Sequence, residues 1–489
     1  MLFNSYTFIF GFLPITLLVF FGLTKFRAIK AASVWLFIAS LFFYGYWNVA
    51  YVPLLLISMV FNYQMGRLLY LARGNKHQAQ VLLGVGISLN LLALGYYKYA
   101  NFFIISFNQL FNFHLFAPNV VLPLAISFFT FTQSAYLVDA YRGETKNYDF
   151  LTYSLFVLFF PHLIAGPIVR HHELVPQFEK VRNFVFSHKN MAMGITMFIL
   201  GLAKKVLIAD NISPWVAPIF AHASDCTFVE AWVGALSYTF QLYFDFSGYS
   251  DMAIGLGWMM NIDLPINFNS PYKSTSISEF WRRWHITLSN FLRDYLYIPL
   301  GGNRRGELRR YTNLLITMLL GGLWHGAGWT FVVWGGLHGL FLVINHAWRK
   351  LNIPLPKILA WAITFFAVVI SWVFFRAHSI HDGIEMAQTM LGMKPLVLPV
   401  AYKSFLGWLS LFGAEFKGWQ QFSYLPLLGG QISLLLLAGL TLGVVLLPNT
   451  QEIMKWIKPR ILWALLVGTL AVLCLISLNR VSEFLYFQF

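Results

Sequence analysis

The sequence predicts an all-α, polytopic integral membrane protein with about 11–13 transmembrane helices plus re-entrant segments. Three observations predict it. Hydrophobic residues fill 58% of the 489 positions and charged residues only 11%, against about 25% charged in a soluble domain. Mean hydropathy is positive. Apolar runs long enough to cross a ~30 Å hydrocarbon core recur along the whole chain. A core of this kind forms between helices, so residues 1–489 are expected to make a single membrane domain.

In order, the predicted spans are 7–23, 31–47, 50–66, 80–97, 119–139, 190–208, 228–247, 311–325, 329–346, 357–375, 425–447 and 461–479. Segments 100–114 and 149–168 are further apolar stretches. The first run has no basic residue before it and no small-residue cleavage site after it, so no signal peptide is expected. Lys25, Arg27 and Lys30 follow that run, and the positive-inside rule places them in the cytoplasm and the N-terminus outside. Arg67, Arg73 and Lys76 fall on the same side, as do Arg349, Lys350, Lys357, Lys455, Lys458 and Arg460. The C-terminal tail, 480–489, is then outside.

Segment 149–168 breaks this pattern, since a full crossing would leave Arg170, Lys180, Arg182 and Lys189 outside. It contains Pro161 and Pro167, and proline removes a backbone donor from a helix. Irregular backbone at membrane depth needs protein or a cavity around it. The segment therefore reads as re-entrant. Region 380–424 is too polar at its start, and too interrupted by Pro and Gly, to span. It is expected to lie along the outer interface as amphipathic pieces.

The net charge is +15, from 34 basic and 19 acidic residues. These charges cluster beside apolar spans, which indicates cytoplasmic loops and anionic membrane lipid and gives no indication of nucleic acid. Two cysteines, Cys226 and Cys474, do not make a disulfide framework.

The chemistry concentrates between Glu279 and His338. Segment 273–310 holds seven arginines between Arg282 and Arg310, interleaved with Trp281, Trp284, Tyr295 and Tyr297, and it carries His285. Such a segment is either an interfacial helix with snorkelling arginines or a basic vestibule for a phosphate-bearing donor. His325 sits in a hydrophobic run, flanked by Trp324 and Gly326. An ionisable side chain inside an apolar span is a functional candidate by default. Residues 311–322 rise about 18 Å as a helix, which puts His325 near mid-membrane. An imidazole there serves either as a general base on a hydroxyl or as a hydrogen-bond partner for a neighbouring helix. His338 lies 13 residues on and His285 lies 40 residues back; either could face His325. Asp245 and Asp251 fall near a predicted span end, where they could orient a histidine, hold a cation, pair with arginine or cap a helix. His171-His172-Glu173 lacks zinc-type spacing, and no metal is expected.

These residues carry a resemblance to the membrane-bound O-acyltransferase family. The matching stretches are 122–144, FFPHLIAGPIVR at 159–170, YFDFSGYSDMAIGLG at 243–257, the long NFNSPYKSTSISEFWRRWHITLSNFLRDYLYIPLGGNR at 267–304, LLGGLWHGAGWTFVVWGGLHG at 319–339 and LYFQF at 485–489. Position 162 is His where the family pattern leads us to expect Gln. The core motifs lie within 122–346. The resemblance implies a ring of helices around a thinned centre, and acyl transfer to a hydroxyl. It implies His325 as the catalytic residue, with His285 as the second polar member of the site. Arg282, Arg283 and Trp324 are then the donor-binding candidates. The expected donor is acetyl-CoA, as substrate and with no cofactor. The expected acceptor is an exported polysaccharide, alginate first, with peptidoglycan or another envelope polymer as the alternative.

No soluble domain is expected within the sequence, so separate periplasmic or extracytoplasmic acetyltransfer proteins are the expected partners, and the bacterial inner membrane is the expected location. The tail motif also implies Tyr486 as an acyl acceptor that hands the group outward; an aromatic anchor at the interface is the simpler alternative. A transporter or flippase would show paired inverted repeats with broken helices, and none is evident. A non-catalytic scaffold would be indifferent to loss of His325.

Overall fold

A computed structural model describes residues 1–118, 120–425, 430–478 and 485. The described chain is mostly helical, with one parallel ladder of two three-residue strands, Val397–Pro399 and Glu415–Lys417. Six helices are long and apolar enough to cross a membrane: Thr7–Lys25, Val49–Gly74, Lys76–Phe111, His188–Ala221, Trp329–Leu351 and Lys357–Arg376. A seventh is obtained if Gly430–Leu446 and Thr450–Trp456, bent by 61°, count as one span. Ile29–Gly45 and Ile461–Ser477 are shorter apolar helices.

The chain divides into two compact units. The first comprises Met1–Ala203, Gly248–Asn267 and Trp456–Val481. Its polar groups pair across helices, as they must where lipid offers no hydrogen bonds. Asn62 and Asn90 exchange amide bonds at 3.0 and 2.6 Å. Gln133 donates to Ser58 Oγ and accepts from the Tyr153 hydroxyl. Small residues let backbones touch: a Cβ on Gly194 would stand 2.6 Å from the carbonyl oxygen of Gly255, the kind of close approach that apolar helix pairs use.

Two sequence expectations change in this unit. Segment 100–114 is not a separate element, because Lys76–Leu94 continues through a π turn at Gly95–Tyr99 into Ala100–Phe111. A π turn absorbs the irregularity without breaking the helix. The span predicted at 119–139 starts only at Ile126, which Ala125 caps in the left-handed region. Segment 149–168 folds as Phe150–Leu158 and Phe160–Leu163, with a break at Phe159. Nine residues rise about 13.5 Å, well short of a span. His162, at the unexpected position, is buried there.

The second unit comprises Lys204–Ser247, Phe268–Lys455 and Ser482–Phe489. Its frame is an antiparallel hairpin of Glu307–His325 and Trp329–Leu351, followed by Lys357–Arg376. The hairpin closes tightly because a Cβ on Gly322 would meet the Phe331 carbonyl oxygen at 2.2 Å. Region 380–424 is an amphipathic helix, Ile380–Met390, then the strand ladder and short helical turns.

A third correction concerns the helix Phe228–Met259. It runs 32 residues without interruption, so Asp245 and Asp251 lie inside a helix and not at its end. No proline falls between 228 and 259 to stop it, and its polar side chains are buried against protein. Tyr486 lies outside the described residues.

Candidate active site

Four short-range features bring the histidines of the second unit together. The helix Ile277–Arg283 ends at Trp284, and His285 then takes φ 41°, ψ 54° before Ile286–Leu292 begins. A left-handed non-glycine residue is uncommon and persists only where its surroundings hold it. The turn carries a fully buried imidazole. His325 is the last residue of Glu307–His325, and the chain leaves it through an extended Gly326. No larger residue fits at 326, since a Cβ would lie 2.2 Å from the Phe331 ring.

The rings of His285 and His325 then stand with centroids 6.3 Å apart and planes at 57°. Trp324 borders both, 6.3 Å from His285 and 5.0 Å from His325. Trp334 and Phe375 close the other side of His325 at 5.1 and 5.3 Å, and Phe246 packs edge-on to His285 at 4.8 Å. The site is thus two imidazoles in an aromatic box, drawn from segments 40 residues apart.

His338 is not part of that pair. Trp334 lies next to both rings, 5.1 Å from His325 and 4.9 Å from His338. The Trp281 indole N–H donates to His338 Nδ1 at 3.2 Å. An indole only donates, so the His338 proton is on Nε2 and goes to Ser371 Oγ at 2.9 Å. Ser371 in turn donates to the Val368 carbonyl. Both nitrogens are spent on a fixed tautomer, which is a structural role. Spacing alone left His285 and His338 equivalent as neighbours of His325, while the family resemblance pointed to His285; the structure sets the His285 ring 6.3 Å from that of His325.

The arginines separate as well. Arg283 binds Glu279 through Nε and Nη2 at 3.0 and 2.9 Å and donates to the Asn269 carbonyl. Arg282 is exposed. Arg310 donates to His346 Nδ1 at 2.7 Å, and Arg282 and Arg349 act electrostatically on that same imidazole. Arg282 thus belongs to a cationic group with Arg310 and Arg349, which spacing alone did not reveal. Among the described residues, metal-type side chains converge at Asp139, His171 and His172. His171 already faces Asp139 through Nδ1 at 3.1 Å and the Glu144 carbonyl through Nε2 at 3.3 Å.

The fold is many-helix and apolar, and its second unit holds a buried pair of imidazoles. The MBOAT, membrane-bound O-acyltransferase family, matches residues 41–380, and the chain belongs to that family. It is a multi-pass membrane O-acyltransferase. The Peptidoglycan O-acetyltransferase of Helicobacter pylori is 46% identical, over 81% of each chain. The Probable alginate O-acetylase of Pseudomonas putida is 39% identical over 100% of both. The Teichoic acid D-alanyltransferase of Streptococcus thermophilus is 31% identical over 52% of this chain and 68% of its own.

Replacing Trp281 by Phe leaves His338 Nδ1 buried without its donor. The expected loss is about 1–3 kcal/mol of stability, read as a lower unfolding temperature of the purified protein. An unchanged unfolding temperature would show that the Trp281–His338 bond holds nothing.

Proposed function

We propose that this protein takes an acetyl group from a cytoplasmic thioester, acetyl-CoA, and passes it outward for O-acetylation of an exported polysaccharide. The observation that carries the reading is the buried His285–His325 pair, whose ring centroids at 6.3 Å let one small reacting group meet both. His325 takes the proton of an incoming hydroxyl as its oxygen attacks the thioester carbonyl. The tetrahedral oxyanion collapses, the C–S bond breaks, and the thiolate leaves with the proton returned from His325. His285 donates to the oxyanion and Trp324 walls the donor. His325 ends its helix, where the macrodipole favours the positive charge that forms on the ring during the step.

Arg282, beside Arg310 and Arg349, suits the donor's phosphates. Arg283 already spends its fork on Glu279. The reading places the protein in a bacterial inner membrane, with the donor inside and extracytoplasmic proteins completing transfer to the polymer. The alginate relative matches end to end, which supports alginate as the first acceptor to test. The peptidoglycan relative, at 46% identity, supports that polymer as the second. In this reading the Tyr486 hydroxyl receives the acetyl group as an ester and carries it outward.

His325→Ala is expected to abolish O-acetyl groups on the polymer at a normal protein level. His285→Ala is expected to lower transfer about 10²–10³-fold, the usual loss for one oxyanion donor. Full ester content in the first variant, or transfer within twofold of the parent in the second, would remove these assignments.

Arg282→Gln should raise the apparent KM for acetyl-CoA severalfold with kcat little changed. An identical donor titration would make Arg282 a snorkelling residue.

Tyr486→Phe keeps an aromatic anchor and removes only the hydroxyl, so polymer acetylation should fall to background. Acetylation at the parent level would mean that the group leaves by another hydroxyl.

A further inference from the structure

The catalytic reading uses neither lysine nor aspartate, yet three such groups are buried together in the second unit. Lys205 Nζ lies 2.8 Å from Asp210 Oδ1 and 2.8 Å from Asp245 Oδ1, and all three side chains are 2% exposed. Burying charges is costly unless they are paired and hydrogen-bonded, and inside a membrane protein such groups mark function by default. Local backbone is arranged for them. Lys205 sits in a π turn, Lys204–Ala209, which leads directly to Asp210, and π turns are enriched at functional sites. The cluster is also unbalanced, with one cation against two carboxylates. The second carboxylate has a further partner: Asp245 Oδ2 accepts the backbone N–H of Leu485 at 3.0 Å, across 240 residues of sequence. Leu485 itself is 4% exposed.

We infer that the Lys205–Asp210–Asp245 cluster is the docking site for the chain's own C-terminal segment, with Asp245 the residue that positions it. One oxygen of Asp245 is tied to Lys205 and the other receives the tail, so the ammonium fixes the carboxylate and the carboxylate fixes the backbone at Leu485. A charged acceptor makes a stronger bond to a peptide N–H than a neutral one. Asp210 keeps Lys205 in place whether or not the tail is bound. The docking stands on this geometry alone. Its consequence for acyl transfer rests on the reading of Tyr486, the next residue in sequence: Asp245 then sets where the phenol is presented.

The test uses purified full-length protein with Cys226 and Cys474, both buried and free, replaced by Ala. Leu485→Cys keeps the backbone N–H and reports burial through its rate of reaction with a polar maleimide. Ser404→Cys, at an exposed position, is the reference. The Leu485→Cys thiol is expected to react at least tenfold more slowly than the reference. Adding Asp245→Ala, which leaves Lys205 and Asp210 as a balanced pair, should raise its rate at least tenfold with the reference unchanged. A Leu485→Cys thiol that reacts as fast as the reference overturns the docking site, and this arm needs no second substitution to fold. An unchanged rate in Asp245→Ala overturns Asp245 as the anchor. Polymer acetylation should fall at least tenfold in Asp245→Ala alone. Released labelling with full acetylation would overturn the positioning role. If Tyr486→Phe acetylates normally, the relay fails, and the labelling result stands by itself.

Discussion

A polar group carried into this interior has to be satisfied by protein, because lipid supplies no hydrogen bonds. That constraint shapes the fold. The Asn62–Asn90 amide pair, the Ser58–Gln133–Tyr153 chain and the Trp281–His338–Ser371 chain each join segments that are distant in sequence. Each bond fixes a helix pair in one register, since a slip would leave a buried donor or acceptor without its partner, a cost of about 1–3 kcal/mol.

The same constraint sorts the histidines. His338 has a donor on one nitrogen and an acceptor on the other, in a fixed tautomer. An imidazole so occupied cannot exchange protons without breaking two buried bonds. The rings of His285 and His325 stand 6.3 Å apart, centroid to centroid, inside an aromatic box. Their placement depends on backbone devices: a left-handed residue at His285 and a glycine turn after His325. Neither device is a regular helix, yet each lies between helices that fix both its ends. The two imidazoles are thereby carried on short turns held by rigid elements, the arrangement that precise positioning requires.

Charge follows a parallel division. Arg282 and Arg349 are exposed and Arg310 is half-buried, and all three act on His346, within reach of solvent. The buried charges at Lys205, Asp210 and Asp245 are held by direct contacts of 2.8 Å, and a backbone N–H completes the set. The first arrangement suits a ligand that comes and goes; the second suits a partner that is part of the same chain.

The sequence by itself determined the class of the protein. Apolar runs of near-span length and a low charge content leave little alternative to a helical membrane fold, and the motif around His325 singled it out. Turn residues were legible too: Gly326 after His325, and the prolines that break 149–168. Three things were decided only by tertiary structure. Segments 76–94 and 100–111 are one helix, because a π turn leaves no sequence signature that hydropathy can read. The helix Phe228–Met259 runs through Asp245 and Asp251, because burial against protein, and not hydropathy, sets how far a polar helix extends. That both nitrogens of His338 are taken up required knowing where a Trp indole and a Ser hydroxyl fall. Those contacts span 57 and 33 residues, and no local pattern encodes a distance of that kind. Sequence spacing fixes what can share a helix face. Which faces meet is settled by packing.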